Sequence, residues 1–482
     1  MAFENLQQLI AALERNGQLT RITEQLSPFL EISEISDRVV KAGGPALLFE
    51  NPTGHSVPVL TNMYGSAERV KTIFDVEDVN MFSKVFSELL DIEPPRRFVE
   101  KLKLLPKLKD LAGIFPKHVN DAPCREVVKL GEECDLRELP VLTTWPGDAG
   151  PFITLPVVFS KHPGTGRRNM GMYRMQVYDG KTAGMHWHIH KGGAAHFRSA
   201  AERMDVAVAL GPDPITTYAA TAPLPEGIDE LMLSGFLRKK PVKIVKCVTC
   251  DLEVPAESQI VLEGYVVPGE TRIEGPFGDH TGFYSPADEY PVFHLTAITR
   301  RKDPVYPATV VGRPPMEDAF LGKITERLFL PLIRKQLPEI VDINLPVEGG
   351  FHNLCFVSID KSYPGHAHKV MHALWGLGQM MFTKMILVFD GDVDVQDVKQ
   401  VLFFLGANLD PARDLCLVKG PLDALDHASP LPHLGSKIGF DCTRKGPREG
   451  HMRAWPDLIE MDGTVKSRID ALWHKLNIRE RM

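Results

Sequence analysis

No run in this 482-residue chain approaches the roughly 20 consecutive apolar residues of a membrane-spanning helix. The opening Met1-Ala-Phe-Glu-Asn-Leu-Gln-Gln lacks the basic and apolar regions of a secretory signal, so a cytoplasmic address is expected. Basic charge is not in excess: 55 Lys and Arg against 62 Asp and Glu leave a net charge of -7, which gives no footprint for nucleic acid. Cysteine is sparse, and seven scattered residues, an odd number, argue against a disulfide framework. Cys247-Val-Thr-Cys250 has no second such pair and no nearby histidine pair to complete a zinc tetrahedron, and reads as buried thiols in a strand. Also missing are Gly-x-x-x-x-Gly-Lys, Gly-x-Gly-x-x-Gly after a strand, and Gly-x-Ser-x-Gly. The triphosphate, ordinary dinucleotide and serine-hydrolase readings therefore lose their support. Asp390-Gly-Asp-Val-Asp394-Val-Gln-Asp397 looks like a calcium loop, but it lacks the sixth-position glycine and has Val401 at the twelfth; it reads as a solvated strand-to-helix turn. The remaining expectation is a small-molecule partner.

The patterning predicts an α+β protein. Leu6, Leu9, Ile10 and Leu13 recur at helical spacing before Asn16-Gly17, and a second helix is expected over Leu30–Lys41, followed by a strand at Ala46–Phe49. Phe82 to Leu111 reads as charged helix broken at Pro94-Pro95. From Glu126 to Arg300 short runs rich in Val, Ile, Tyr and Thr alternate with Gly, Pro and Asp turns: Ile153–Val158, Met172–Tyr178, Val206–Ala209, Lys243–Val248, Ile260–Val267 and Val292–Thr299. That texture predicts an antiparallel sheet or barrel. Helices return over Ala319–Gln336 and His366–Leu377, with strands at Leu354–Ile359 and Met385–Phe389, and a last helix is expected over Asp457–Leu476. The expected units are 1–122, N-terminal α/β; 123–312, central β; 313–455, C-terminal α/β; and 456–482, a helix suited to packing on another subunit.

Two glycine-rich stretches carry the chemistry, Asn169-Met-Gly-Met-Tyr-Arg174 and Glu274-Gly-Pro-Phe-Gly-Asp279-His-Thr-Gly. Arg174 set between Glu274 and Asp279 would let one guanidinium hold two carboxylates in different protonation states, an arrangement suited to moving a proton to carbon. In Met185-His186-Trp187-His188-Ile189-His190-Lys191-Gly192-Gly193 three histidines alternate on an apparent strand, either as metal ligands or as hydrogen-bonded surface residues. Asn169 and Glu230 are the nearby oxygen donors for a hard divalent ion.

These motifs, with Gly43-Gly-Pro-Ala-Leu-Leu-Phe-Glu-Asn51, Asp229-Glu-Leu-Met-Leu-Ser-Gly-Phe-Leu, Gly312-Arg-Pro-Pro315 and Gly435-Ser-Lys-Ile-Gly-Phe-Asp441, resemble the UbiD family of reversible decarboxylases nearly end to end. The resemblance implies prenylated FMN supplied by a flavin prenyltransferase, a divalent metal, usually manganese, and often potassium. It implies a central split β-barrel like that of flavin reductases, in a homo-oligomer, either dimer or hexamer. By motif position Asn169, His188 and Glu230 would hold the metal. Met172, Tyr173, Arg174, His186, Trp187, His188, Lys191 and Gly192 would line the cofactor, and Lys384 would reach its phosphate. Asp279 would protonate carbon, with Arg174 and Glu274 completing the catalytic set. The implied reaction is non-oxidative decarboxylation of an aromatic hydroxy acid in quinone biosynthesis. Ubiquinone-pathway members carry Arg-Trp-Leu-Ser-His-Arg-Gly-Gly where this chain has His186 to Gly193, and that segment, with Gly349-Gly-Phe-His-Asn353 and Lys369-Val-Met-His-Ala-Leu-Trp375, looks more like the menaquinone type acting on 1,4-dihydroxy-6-naphthoate. Both that acid and 4-hydroxy-3-polyprenylbenzoate stand as substrates, the latter implying peripheral contact with the inner membrane. The rival readings are a flavin oxidoreductase and a non-catalytic subunit of a multi-subunit carboxylase.

Overall fold

The computed structural model describes residues 2–90, 113–187, 192–224 and 228–476. The continuation of the charged helix through Pro94-Pro95 to Leu111 lies outside them, and its start is the helix Met81–Leu90.

The chain opens with the helix Leu6–Arg15, whose first turn is capped by the Asn5 side chain accepting from Gln8 N, and whose apolar stripe Leu6, Leu9, Ile10 and Leu13 is buried. Leu19–Leu26 runs parallel to Ala46–Pro52 through the crossover helix Glu31–Lys41, and Val59–Thr61 returns antiparallel. This sheet takes its fourth strand from far along the chain: Tyr306–Pro307 lies parallel to Val59–Thr61, with Tyr306 N donating to Pro58 O at 2.8 Å.

The expected antiparallel sheet is present in the centre. Its order is Thr182–Gly184, Asp288–Arg300, Ile260–Glu274, Met204–Leu210, Pro156–Lys161 and Arg168–Met172, with Val127–Leu130 added on Asp288–Arg300. The sheet does not close into a barrel, because Thr182–Gly184 and Arg168–Met172 do not pair with each other. Side chains alternate across it, so that Val157, Phe159, Ala207, Ala209 and Val261 join one core while Val158, Val206, Val208, Leu210 and Leu262 join another. Burial on both faces explains why these strands read as nearly continuous apolar runs. Two readings need correction. Met172–Tyr178 is not one strand, since Arg168–Met172 ends before Arg174, and Lys243–Lys246 belongs to a separate small sheet with Glu253–Pro255 and Lys117–His118.

The C-terminal sheet has the order Ile340–Asn344, Leu354–Ile359, Met385–Asp390, Leu434–Asp441, Leu415–Pro421, with parallel inner strands and antiparallel edges. The helix Glu317–Gln336 feeds into it. Asp390 to Asp397 is the expected strand-to-helix turn, in which Asp394 accepts from Gln396 N and Asp397 from Lys399 N and Gln400 N. The final helix spans Gly463–Trp473, starting later than expected because Asp462 caps it, and none of its residues is buried.

Helix Glu230–Arg238 packs so closely on the preceding chain that a Cβ on Gly235 would lie 2.1 Å from Ile114 O. Gly235→Ala is expected to destabilise the fold by about 1–3 kcal/mol through overpacking, whereas Gly446, with nothing within 4 Å of a built Cβ, should accept Ala with little change. Thermal melts of the two variants check this.

Candidate active site

Arg174 follows the edge strand Arg168–Met172, Glu274 ends the long strand Ile260–Glu274, and Asp279 sits in the turn of the hairpin formed by Phe277–Gly278 and Tyr284–Ser285. Gly275 at φ +89° and Gly282 at φ +80° shape that turn in a region L side chains resist, and so bring Asp279 back over Glu274. Asp279 N donates to Phe283 O at 3.0 Å and Gly282 N to Asp279 O at 2.9 Å, which pins the loop.

The three expected residues meet. Arg174 Nε and Nη2 donate to Glu274 Oε1 at 3.2 and 3.0 Å, Nη1 donates to Asp279 Oδ2, and Nη2 also reaches Ser285 Oγ at 3.1 Å. The guanidinium lies 4.5 Å from the centre of the Phe277 ring, which fixes its plane. The second oxygen of Glu274 lies 2.5 Å from His186 Nδ1, and the His186 ring stacks on Tyr290 at 4.2 Å. Burial raises the pKa of both carboxyls, but it is outweighed. The His186 bond and Arg174 hold Glu274 below the usual carboxylate range, and the His280 bond and Arg174 hold Asp279 well below it. The expectation that Arg174 holds the two carboxyls in different protonation states is therefore corrected: both acids are held ionised, and Asp279 must be loaded with a proton before it can donate one.

A second group gathers beside the first. Asn169 Nδ2 and Gly193 N both donate to Tyr173 OH at 3.3 Å, and Glu230 Oε2 accepts from Met170 N at 3.1 Å. Asn169, Tyr173, Gly192 and Glu230 are thus brought together, and Trp187 packs edge-on against Tyr173 at 6.4 Å. His188, His190 and Lys191 lie outside the described residues. The expected alternation over His186 to His190 therefore falls largely outside the described residues; of those described, Met185 to Trp187 follow the strand that ends at Gly184, and His186 turns into the acid cluster. Met172 lines the adjoining cavity, while Lys384 is bound to Asp426 at 2.8 and 3.1 Å.

The residues present fit a flavin phosphate with a cation. Loss of water pushes the half-buried Glu230 carboxyl up to about 7, a state that a bound cation would reverse, and the Trp187 indole N–H is buried with no partner. A Cβ on Gly192 would lie 2.0 Å from Asn169 Oδ1, and one on Gly193 2.5 Å from Trp187 Nε1, so only glycine lets these two polar side chains pack against the backbone there. The other grouping of metal-type ligands among the described residues is Cys247, Cys250 and Glu263. The Glu263 carboxylate there accepts from Val248 N, Thr249 N and Thr249 Oγ1, at 2.6 to 2.9 Å, which makes it the brace of a hairpin turn. The thiols are structural, but the expectation of buried thiols in a strand is corrected: strand Lys243–Lys246 ends before them, and Cys247 and Cys250 sit half-buried in the turn that Glu263 braces.

The sequence reading missed two participants, His280 and His352. His280 Nδ1 lies 2.9 Å from Asp279 Oδ1, and its Nε2 lies 2.8 Å from Nε2 of His352. His280 directly follows Asp279 and could have been flagged for that reason; His352 is 72 positions away, and only the docking of the C-terminal unit brings it close.

The same three-part layout emerges from comparison with known proteins. Residues 10–89, 117–314 and 319–442 match the N-terminal, Rift-related and C-terminal domains of the family described as 3-octaprenyl-4-hydroxybenzoate carboxy-lyase. An uncharacterised protein of Archaeoglobus fulgidus is 52% identical over 481 residues, 99% of either chain. The vanillic acid decarboxylase of Sedimentibacter hydroxybenzoicus in its closed form is similar in structure, with a TM-score of 0.85 at 26% identity over 99% of this chain and 100% of that one. An evolved dimeric form of the UbiD-class enzyme HmfF from Pelotomaculum thermopropionicum, in complex with prenylated FMN, gives 0.78 at 26% identity over 96% and 98%. With all three family domains matched in order around the Arg174 cluster, the chain belongs to the UbiD family of carboxy-lyases.

Proposed function

We propose that this protein decarboxylates an aromatic hydroxy acid of quinone biosynthesis without oxidation, using prenylated FMN, and that the acid is 4-hydroxy-3-polyprenylbenzoate. The observation that carries the substrate is a cavity of about 610 Å³ beside the acid cluster. Polar groups, His280, His352, Asp318 and Asp423, lie at one end; Leu321, Phe329, Leu332 and Ile333 line its length along helix Glu317–Gln336. Lining residues from Leu321 to Gln336 follow about 22 Å of helix at ~1.5 Å per residue. An aromatic ring fits the polar end and an isoprenoid substituent the apolar run.

When bound, prenylated FMN supplies an electron sink for the pair left on the ring as CO₂ departs. The chain's own residues do the rest. Asn169 and Glu230, with His188 as the resemblance implies, would hold a divalent ion, manganese, together with potassium, and Lys384 would exchange Asp426 for the flavin phosphate. Tyr173 orients Asn169, and Trp187 and Met172 wall the flavin. Arg174, braced by Glu274 and Ser285, aims Asp279, whose proton replaces CO₂ on the ring carbon. The paired acids about one arginine favour this over hydride transfer, which needs neither. The similarity to a vanillic acid decarboxylase supports an aromatic hydroxy acid, and that to HmfF supports the cofactor. A polyprenylated acid resides in a bilayer, so this reading includes peripheral contact with a membrane; no helix among the described residues is long and apolar enough to cross one. A homo-oligomer is supported by the stripe Val465, Ile469 and Trp473, each about 40% exposed on the final helix.

Parallel assays of protein co-produced with a flavin prenyltransferase test the substrate. CO₂ release from 4-hydroxy-3-polyprenylbenzoate and not from 1,4-dihydroxy-6-naphthoate is expected. The reverse result would move the assignment to the naphthoate, in keeping with the residues at His186 to Gly193, and turnover of neither acid would remove the quinone assignment.

A further inference from the structure

Decarboxylation consumes one proton per turnover, and Asp279 cannot supply it from the state in which it rests. Its carboxylate is 7% exposed and ionised, and one oxygen is taken by Arg174, a side chain type that does not release protons in proteins. The other oxygen faces His280 Nδ1 at 2.9 Å, and His280 Nε2 faces His352 Nε2 at 2.8 Å. His352 lines the cavity, and its Nδ1 is buried behind the cavity wall with no protein partner. An unbroken row therefore runs from the cavity wall to Asp279 Oδ1.

The surroundings of the two imidazoles differ. Burial lowers His280, but the Asp279 bond and charge outweigh it, helped by Asp318 at the head of the long helix and Asp423 beyond strand Leu415–Pro421, so its pKa is raised. Burial and the His280 charge push His352 down to about 4 against the opposing pull of Asp423, Asp279 and Asp426. A proton on the pair accordingly rests on His280, beside the acid to be loaded.

We propose that His352 and His280 form a proton relay that reloads Asp279 between turnovers. The inference rests on the reading of Asp279 as the donor to carbon. When the His352 ring tilts to bring its buried Nδ1 to the cavity, one solvent proton enters there, the proton on His352 Nε2 passes to His280 Nε2, and the proton on His280 Nδ1 passes to Asp279 Oδ1. Asp279 gives that proton to the ring carbon and returns to carboxylate. The rings then turn about their Cβ–Cγ bonds, which frees nitrogens otherwise held by Asp279 and by each other, and regain their starting tautomers by exchange with cavity water, so each cycle takes up one proton and places one on the product. His280 and His352 act through Asp279 and are positioning residues.

The test uses the matured holoenzyme and the acid that the wild type turns over in the parallel assay. His352→Phe removes the outer imidazole; His352→Gln keeps a side chain able to hydrogen-bond His280 but unable to take a proton on one atom and release another. Both are expected to lower kcat about 10-fold or more with KM little changed, to raise the solvent deuterium isotope effect on kcat, and to recover rate when free imidazole is added. An unchanged kcat and isotope effect in either variant would overturn the relay, as would a loss that falls on KM and does not respond to imidazole. Asp279→Asn separates the two levels. Retained activity there removes the reading of Asp279 itself, whereas an inactive Asp279→Asn beside unaltered His352 variants removes the relay alone.

Discussion

Asp279→Asn is expected to leave the flavin spectrum of the holoenzyme intact and to lower turnover by about 10²- to 10⁴-fold, the usual contribution of a positioned proton donor. Asparagine can still accept from His280, whose backbone and ring nitrogens lie 2.8 and 2.9 Å from Asp279 Oδ1, so the loop should keep its shape. What it cannot do is carry a proton to carbon. Because the site is shielded, bulk water is a poor substitute, and the loss should fall on kcat more than on KM. Arg174→Lys should be nearly as damaging: a lysine keeps the charge but cannot bind Glu274 through two nitrogens while a third holds Asp279. Steady-state kinetics with the absorbance spectrum of each purified variant check both expectations, and a loss under about tenfold with chemistry rate-limiting would assign the proton to another group.

Glu230→Ala should abolish metal retention and with it the bound flavin, seen together by elemental analysis and absorbance. Without a cation the Glu230 carboxyl is pushed up to about 7 by burial, against the support of its own helix end, a backbone N–H from Met170 and the charge of Arg168. A raised carboxyl binds more protons folded than unfolded, so the metal-free protein loses stability as pH rises from the ordinary carboxylate value of 4.5 towards 7. At one pKa unit to 1.36 kcal/mol, that loss is at most about 3 kcal/mol. Manganese binding displaces the proton and reverses the loss, so thermal melts of metal-free protein should fall between pH 5 and pH 8 and recover on adding the ion. In Glu230→Gln the fall should shrink to the part carried by Asp318, which burial also raises to about 7, and the recovery should vanish; a metal response retained in that variant would remove Glu230 from the site.

The layers of this fold were legible because their periodicities are strong. The stripe Leu6, Leu9, Ile10, Leu13 and the run Met204–Leu210 announce a helix and a doubly buried strand without outside help. Arg174, Glu274 and Asp279 could be set together because glycine-rich turns around charged residues in a β-rich stretch have few structural uses. The paired depression of both acids was not legible, since it depends on His186 and His280 arriving at particular oxygens. Nor was the end of pairing at Gly184, which tertiary contacts decide: Met185 N still reaches Pro291 O, but His186 turns to meet Arg174 O. His352 was invisible as a partner of Asp279 for the same reason that Tyr306–Pro307 was invisible as a strand. Two residues carry no period, and a partner supplied by distant chain leaves no local pattern.

That short strand governs the order in which the protein can be finished on the ribosome. The N-terminal sheet presents the open edge of Val59–Thr61 until Tyr306–Pro307 has emerged to cover it. At ~5–20 residues per second, the roughly 245 intervening residues take on the order of 12–50 s to synthesise. Throughout that interval the nascent chain carries an uncovered strand edge beside buried-type residues such as Leu60, the arrangement most prone to pair with the wrong neighbour. The first unit is therefore sealed only after the strands of the central sheet have been made, and slow synthesis or truncation before Tyr306 lengthens the period in which nascent chains can pair with one another through that edge.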